Sequence, residues 1–187
     1  MVSNPGAEQL RALLRTRSVQ FGDFVLASGQ RSNFYIDARR TTMSGEGLQL
    51  IGELGLERIV RAGWHPDLVG GLTLGADPVA YAIAVAARAQ GLRLDAFSVR
   101  KEAKTHGTGK RIEGCFVRGA RVVVVEDVIT TGRSALDAIH VVEAEGGLVR
   151  GVLGVVDREQ GGKENVQQAG YGVEVLVTAA ELLSERQ

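Results

Sequence analysis

With a single cysteine, Cys115, the chain cannot form an intrachain disulfide, which suits a reducing, cytoplasmic compartment. The expected role of that cysteine is as a small buried apolar residue. No apolar run reaches the ~20 residues that cross a bilayer, and the N-terminus lacks an apolar leader core, so no membrane partner is expected. Neither sign of charge dominates. The 22 acidic and 22 basic side chains leave no net field to gather nucleic acid, and none is expected as a partner. Glycine is plentiful, at 25 residues, but dispersed, which points to tight βα turns rather than low complexity. The length of 187 residues fits one domain, 1–187, with a substantial core.

The centre of the sequence is Arg121-Val-Val-Val-Val-Glu126-Asp127-Val128-Ile129-Thr130-Thr131-Gly132-Arg133-Ser134. Four consecutive valines suit a strand covered on both faces, because β-branched side chains fit a pleated, buried surface. Two carboxylates stop the hydrophobic run. A polar turn follows, and then Ala135, Leu136, Ile139 and Val142 recur at helical spacing. A strand, a glycine turn and a helix N-terminus together form an anion site suited to one phosphate monoester. Thr130, Thr131 and Ser134 add hydroxyl donors, and Gly132 permits close backbone approach. Glu126 and Asp127 would repel a bare phosphate, so sugar hydroxyls or a hydrated magnesium ion suit them better.

Around this unit the pattern predicts a helix from Asn4-Pro5 to about Arg17, burying Leu10, Leu13 and Leu14. Phe24–Leu26 and Phe34–Ile36 read as two short strands joined by a Gly/Ser/Asn turn. A helix is expected from Ser44 to Gly63, with Leu48, Ile51, Leu54, Ile59 and Val60 as its buried stripe. Gly47, Gly52 and Gly55 oppose it, at roughly 1 kcal/mol each against alanine. Asp67–Gly71 reads as a strand, Leu72–Asp77 as a glycine loop, and Pro78 to about Gln90 as a helix. Leu92–Val99 is the next strand, followed by a charged excursion over 100–114. Further strands are expected at Arg150–Val156 and Val173–Val177. Helices are expected at Asn165–Gly170 and Thr178–Glu185, the last opened by a Thr178/Glu181 capping box. Alternating strands and helices imply an α/β fold with a mainly parallel central sheet flanked by helices. Ligands in such sheets gather beyond the carboxyl ends of the strands, where the loops 71–77, 126–134 and 157–162 emerge.

The central stretch resembles the phosphoribosyl pyrophosphate signature of the type I phosphoribosyltransferases, and other segments narrow the likeness. Arg100-Lys101-Glu-Ala-Lys104 with His106-Gly107 resembles the catalytic loop of orotate phosphoribosyltransferases. Its four cationic donors have the density that a diphosphate demands. Ser28-Gly29, Ser32, Tyr35 and Asp37 resemble that family's N-terminal hood, although Ala27 stands where some members carry Lys. Asp157-Arg158-Glu-Gln-Gly161 resembles its orotate-contacting segment, and the strand–loop–helix unit with the loop Leu72–Asp77 its pyrophosphate loop. Several relatives have Lys near position 75, so backbone N–H groups are expected to dominate that contact here.

The resemblance implies the type I phosphoribosyltransferase fold, with a small hood formed by about residues 1–40 and the C-terminal segment. It implies an enzyme that joins orotate and phosphoribosyl pyrophosphate into orotidine 5'-monophosphate, releasing pyrophosphate in pyrimidine biosynthesis. It assigns Lys104, His106 and Asp127 to catalysis. The activated sugar would be held by Thr73, Leu74, Gly75, Arg100, Lys101, Lys104, His106 and Glu126 to Ser134, which includes Val128, Ile129, Thr131 and Arg133. Phe34, Tyr35, Thr130 and Arg158 would hold orotate. Magnesium is expected as cofactor, held through substrate and water with no direct protein ligand, and a homodimer is expected. Two alternatives stand beside this reading: a phosphoribosyltransferase for a purine or uracil, and a non-catalytic regulator that senses phosphoribosyl pyrophosphate.

Overall fold

A computed structural model describes residues 4–25, 31–102 and 111–184. Eight strands and seven helices are assigned within them. The helix α1 (Pro5–Arg17) is capped by Asn4, whose side chain accepts from the Gly6 N–H at 3.0 Å, and it buries Leu10, Leu13 and Leu14. The strands β1 (Val19–Val25) and β2 (Arg31–Ile36) form a separate antiparallel pair. A four-residue helix α2 (Arg39–Thr42) follows, which no sequence pattern announced.

Helix α3 (Gly45–Arg61) contains the three disfavoured glycines, and the reason is proximity. A Cβ on Gly52 would stand 2.5 Å from the Ala82 carbonyl oxygen, and one on Gly55 would stand 2.9 Å from Ile83. Both partners lie on α4 (Ala76–Ala89), so the glycines let two helix backbones approach. The stripe differs slightly from expectation: Leu50 and Leu56 are buried with Ile51 and Ile59, while Val60 is exposed.

The main sheet comprises β3 (Leu68–Leu72), β4 (Asp95–Val99), β5 (Ile112–Gly114), β6 (Arg121–Ile129), β7 (Leu148–Asp157) and β8 (Val173–Thr178). Its order is β5-β4-β3-β6-β7-β8, all parallel except β5, which pairs antiparallel with β4. The expected α/β architecture with a mostly parallel sheet is therefore present. The valine run divides between two cores by strand alternation. Val123 and Val125 join Leu10, Ile51 and Ile83 on one face. Val122 and Val124 join Ala135, Ile139 and Val142 of α5 (Arg133–Ala144) on the other. A parallel sheet covered on both faces is thus written directly into consecutive valines.

Two short helices complete the chain. The first, α6 (Gly162–Gln168), begins earlier than expected. The second, α7 (Ala179–Leu183), has the complete Thr178/Glu181 capping box. It packs on α1, where Arg11 Nη1 meets Glu181 Oε1 at 3.0 Å and Arg15 donates to the carbonyls of Glu181 and Leu182. Cys115 is a correction: it is exposed, just beyond the edge strand β5, where its backbone N–H donates to Ala96 O at 3.2 Å.

Candidate active site

The order of the sheet reverses between β3 and β6. From β3 the chain passes through α4 to β4 on one side, and from β6 through α5 to β7 on the other. Such a switch point leaves a crevice beyond the strand ends. A cavity of about 330 Å³ lies there, lined by Tyr35 to Arg39, Leu72 to Gly75, Lys101, Glu126 to Val128, Thr130, Ser134 and Arg158. A smaller one of about 60 Å³ adjoins it and is lined by Glu126 and by Val128 through Ala135.

Contrary to expectation, the acidic pair does not end β6. The strand continues through it, with Glu126 opposite Gly154 and Val128 opposite Val156. Glu126 is therefore 8% exposed, and its Oε2 has no hydrogen-bond partner among the described residues. Burial first, and the neighbouring Asp127 carboxyl second, push its pKa up to about 8, against a smaller opposing effect of Lys101. Asp127 is also raised, chiefly by burial, although its Oδ1 accepts from the Val128 N–H at 3.0 Å. The Thr73–Leu74 peptide bond, which lines the same cavity, is cis. Gly75 gives Asp127 its place: a Cβ at residue 75 would run into the Asp127 carboxylate.

The turn after β6 has the form expected of an anion site. Gly132 takes a left-handed φ of +76°, and α5 begins at the next residue. The side chain of Asn165 fastens the turn from α6, donating from Nδ2 to Thr131 O at 3.1 Å. Thr131, Gly132 and Arg133 line the small cavity alone, while Thr130 and Ser134 line both.

Arg158 leaves the end of β7. Its backbone N–H donates to Ile129 O at 2.9 Å, which fixes it beside the turn. The side chain is 7% exposed, yet Nε and Nη2 have no hydrogen-bond partner among the described residues. Burial lowers its pKa, and its Cζ stands 5.2 Å from the centroid of the Phe34 ring. A buried guanidinium fork with unused donors is costly unless a ligand completes it.

Most of the residues named from the sequence thus converge. Arg100 does not line the cavity: its Nε donates to Glu113 Oε1 at 3.0 Å, and its carbonyl accepts from Arg111. Lys104 and His106 lie outside the described residues, as do Ala27, Ser28 and Gly29. The sequence reading missed the role of Asp37, Ala38 and Arg39 as cavity wall. Arg39 Nε donates to Asp37 Oδ1 at 2.9 Å. The available signal was slight: Asp37 stood out only within the hood resemblance, and Ala38 and Arg39 belong to no motif named there.

No family model matches the chain. The orotate phosphoribosyltransferase of Aquifex aeolicus (strain VF5) is 44% identical over 179 residues, 94% of this chain and 97% of that one. Among solved structures, the orotate phosphoribosyltransferase of Mycobacterium tuberculosis H37Rv in complex with Fe(III) dicitrate is similar at a TM-score of 0.83 and 46% identity. That match covers 96% of this chain and 99% of the other. The same mycobacterial enzyme in complex with 5-phospho-alpha-D-ribosyl 1-diphosphate is similar at 0.79 and 43% identity, covering 95% and 99%.

Proposed function

The chain belongs to the orotate phosphoribosyltransferase family, and from that premise we propose how its own residues carry out the reaction. It transfers the phosphoribosyl group from phosphoribosyl pyrophosphate to orotate, giving orotidine 5'-monophosphate and pyrophosphate in pyrimidine biosynthesis. One observation carries the geometric side of this reading: the acidic pair Glu126/Asp127, the phosphate-type turn and the unpartnered Arg158 guanidinium border one crevice.

Thr130 to Ser134 bind the 5'-phosphate with backbone N–H groups and hydroxyls at the start of α5. Glu126 and Asp127 hold the ribose hydroxyls. Arg158 receives the planar carboxylate of orotate as a bidentate pair, with Phe34 beneath the guanidinium and Tyr35 and Thr130 bounding the base. The Thr73–Gly75 segment and Lys101 face the diphosphate, and Lys104 and His106 join them from the charged loop. As the bond between C1 and pyrophosphate breaks, C1 gains oxocarbenium character and negative charge builds on the leaving oxygen. Cations that strengthen their hold at that moment lower the barrier. Lys104 and His106 meet that charge, and Asp127 faces the developing positive sugar. Closure of 100–114 excludes the water that would otherwise hydrolyse the activated sugar.

Magnesium fits the acidic pair. The unpartnered Glu126 Oε2 beside Asp127 offers hard oxygen acceptors suited to a hydrated ion. Glu126 and Asp127 would hold the ion through its waters and the substrate's oxygens. When bound, magnesium supplies charge neutralisation on the diphosphate. The proposed assembly is a homodimer, the proposed domain is 1–187, and the proposed compartment is the cytoplasm. Among the described residues no helix is long and apolar enough to cross a membrane.

The test is base selection. With phosphoribosyl pyrophosphate and magnesium, pyrophosphate should appear with orotate and not with uracil or hypoxanthine. Preference for either of those bases would remove Arg158 from the proposed role.

A further inference from the structure

Arg39 is a cation in the crevice that the proposed reaction has not used. It follows β2 at the start of α2 and lines the same cavity as Thr73, Leu74, Gly75 and Asp127. Its side chain is 48% exposed, so solvent and ligand can both reach it. Asp37, two residues earlier, accepts from its Nε at 2.9 Å. Among the described residues Arg39 makes no other hydrogen bond, so Nη1 and Nη2 remain available. That hydrogen bond, and to a smaller degree the Asp127 carboxylate, hold its pKa above the ordinary arginine value, which places Asp127 within electrostatic range.

The loop after β3 explains why a cation is needed here. The segment Leu72-Thr73-Leu74-Gly75 has no charged side chain, and any side chain at position 75 would displace the Asp127 carboxylate, which occupies the space of its Cβ. The Thr73 N–H is spent on Val99 O at 2.8 Å, which leaves few donors there for a ligand bearing several negative charges, and Asp127 adds a further negative charge nearby. Arg158, over Phe34, is assigned to the orotate carboxylate. Among the described residues, Arg39 and Lys101 are the cations left on this cavity wall.

We propose that Arg39 is a substrate-binding residue for the diphosphate of phosphoribosyl pyrophosphate: Asp37 holds its Nε, and its two terminal nitrogens meet phosphate oxygens in the cavity that Thr73–Gly75 also line. An arginine held at Nε presents its remaining donors in a fixed fork, which suits phosphate better than a free ammonium. Asp37 is then a positioning residue that acts through Arg39. The hood supplies to the diphosphate the charge that the glycine loop cannot carry. The inference rests on the phosphoribosyl-transfer reading of the site.

Equilibrium titration of phosphoribosyl pyrophosphate with magnesium, without orotate, tests it independently of turnover. Arg39→Ala should weaken binding by about tenfold or more, the loss of one charge-assisted contact. Arg39→Lys should recover part of that loss. Asp37→Asn should weaken binding in the same direction by a smaller factor. In steady state, Arg39→Ala should raise the KM for the activated sugar by a similar factor and move the KM for orotate less than about twofold. Melting temperatures identify any variant that fails to fold, and Arg39→Lys keeps the test open in that case. Unchanged sugar binding in Arg39→Ala, or a loss confined to orotate, overturns the proposal. If the wild type binds the activated sugar but releases no pyrophosphate with orotate, the functional reading fails, and the titration still decides Arg39.

Discussion

Gly75 and Asp127 occupy one another's space: the carboxylate of the second lies where a side chain on the first would begin. Gly75 has ordinary right-handed backbone angles, φ −64° and ψ −40°, so room and not conformation requires glycine. Gly75→Ala should therefore push Asp127 off the ribose position. Misplacement of a reacting-centre group by about 1 Å can cost on the order of 10²-fold, and that loss is expected in kcat/KM. Overpacking should also cost about 1–3 kcal/mol of stability. Steady-state kinetics and denaturant melts measure the two effects, and wild-type kinetics in this variant would show that Asp127 has no positional role.

Arg158 sets stability against function. The folded protein buries Nε and Nη2 with no partner among the described residues, so the site is incomplete until an anion arrives. Arg158→Met keeps the length and apolar stem while removing the buried donors. The KM for orotate should rise about thirtyfold or more, since a charge-assisted bidentate pair is lost. The melting temperature of the ligand-free protein should hold or rise, because replacing an uncompensated buried charge relieves its desolvation. A large fall in that temperature, with orotate KM unchanged, would make Arg158 a structural residue.

How far the sequence disclosed this site depended on how far each residue's neighbours lie in sequence. The Val122–Val125 run and the turn at Thr130–Ser134 were legible because strand, turn and helix are local. The end of β6 was not, because two adjacent carboxylates look like a stop. The strand continues because β7 pairs with it out to Ile129 and Asp157, which no local pattern states. The hood hairpin begins earlier than its apolar core, at Val19, because Gln20 to Asp23 are exposed. The edge strand β5 has three residues and one buried side chain, Ile112, too short for a period to register. Gly52 and Gly55 counted against α3 until α4 was seen beside them. Arg39 was missed for the same reason: its neighbour Asp37 is local, but the crevice it borders is made by loops far along the chain.

Lys104 lies outside the described residues, and the proposal gives it a kinetic signature. A cation that meets charge developing on pyrophosphate stabilises the transition state more than the bound substrates. Lys104→Ala should lower kcat by about 10²–10³-fold and change orotate binding by less than about twofold. Pre-steady-state pyrophosphate release with matched orotate titrations separates the two. An unchanged kcat removes Lys104 from the mechanism.

Glu126 makes the stability of the ligand-free protein depend on pH. Its pKa rises from 4.5 to about 8, first through burial and then through Asp127. Between those two values the folded chain keeps a proton that the unfolded chain has released. Stability therefore falls as pH rises through this window, and the loss is complete above about 8. Asp127, also raised chiefly by burial, acts with the same sign. The Asp67–Arg121 pair cannot produce this slope, because it holds the Asp67 carboxyl down at about 2 and its contribution is lost only under acid. Glu126→Gln cannot ionise, so its melting temperature should exceed the wild type's at pH 8–9 and converge with it near pH 5. A gap of a few degrees is expected, corresponding to about 1–3 kcal/mol for one unpartnered buried group. Parallel melting curves across pH 5–9 would mean that Glu126 is already ionised, and compensated, in the ligand-free fold.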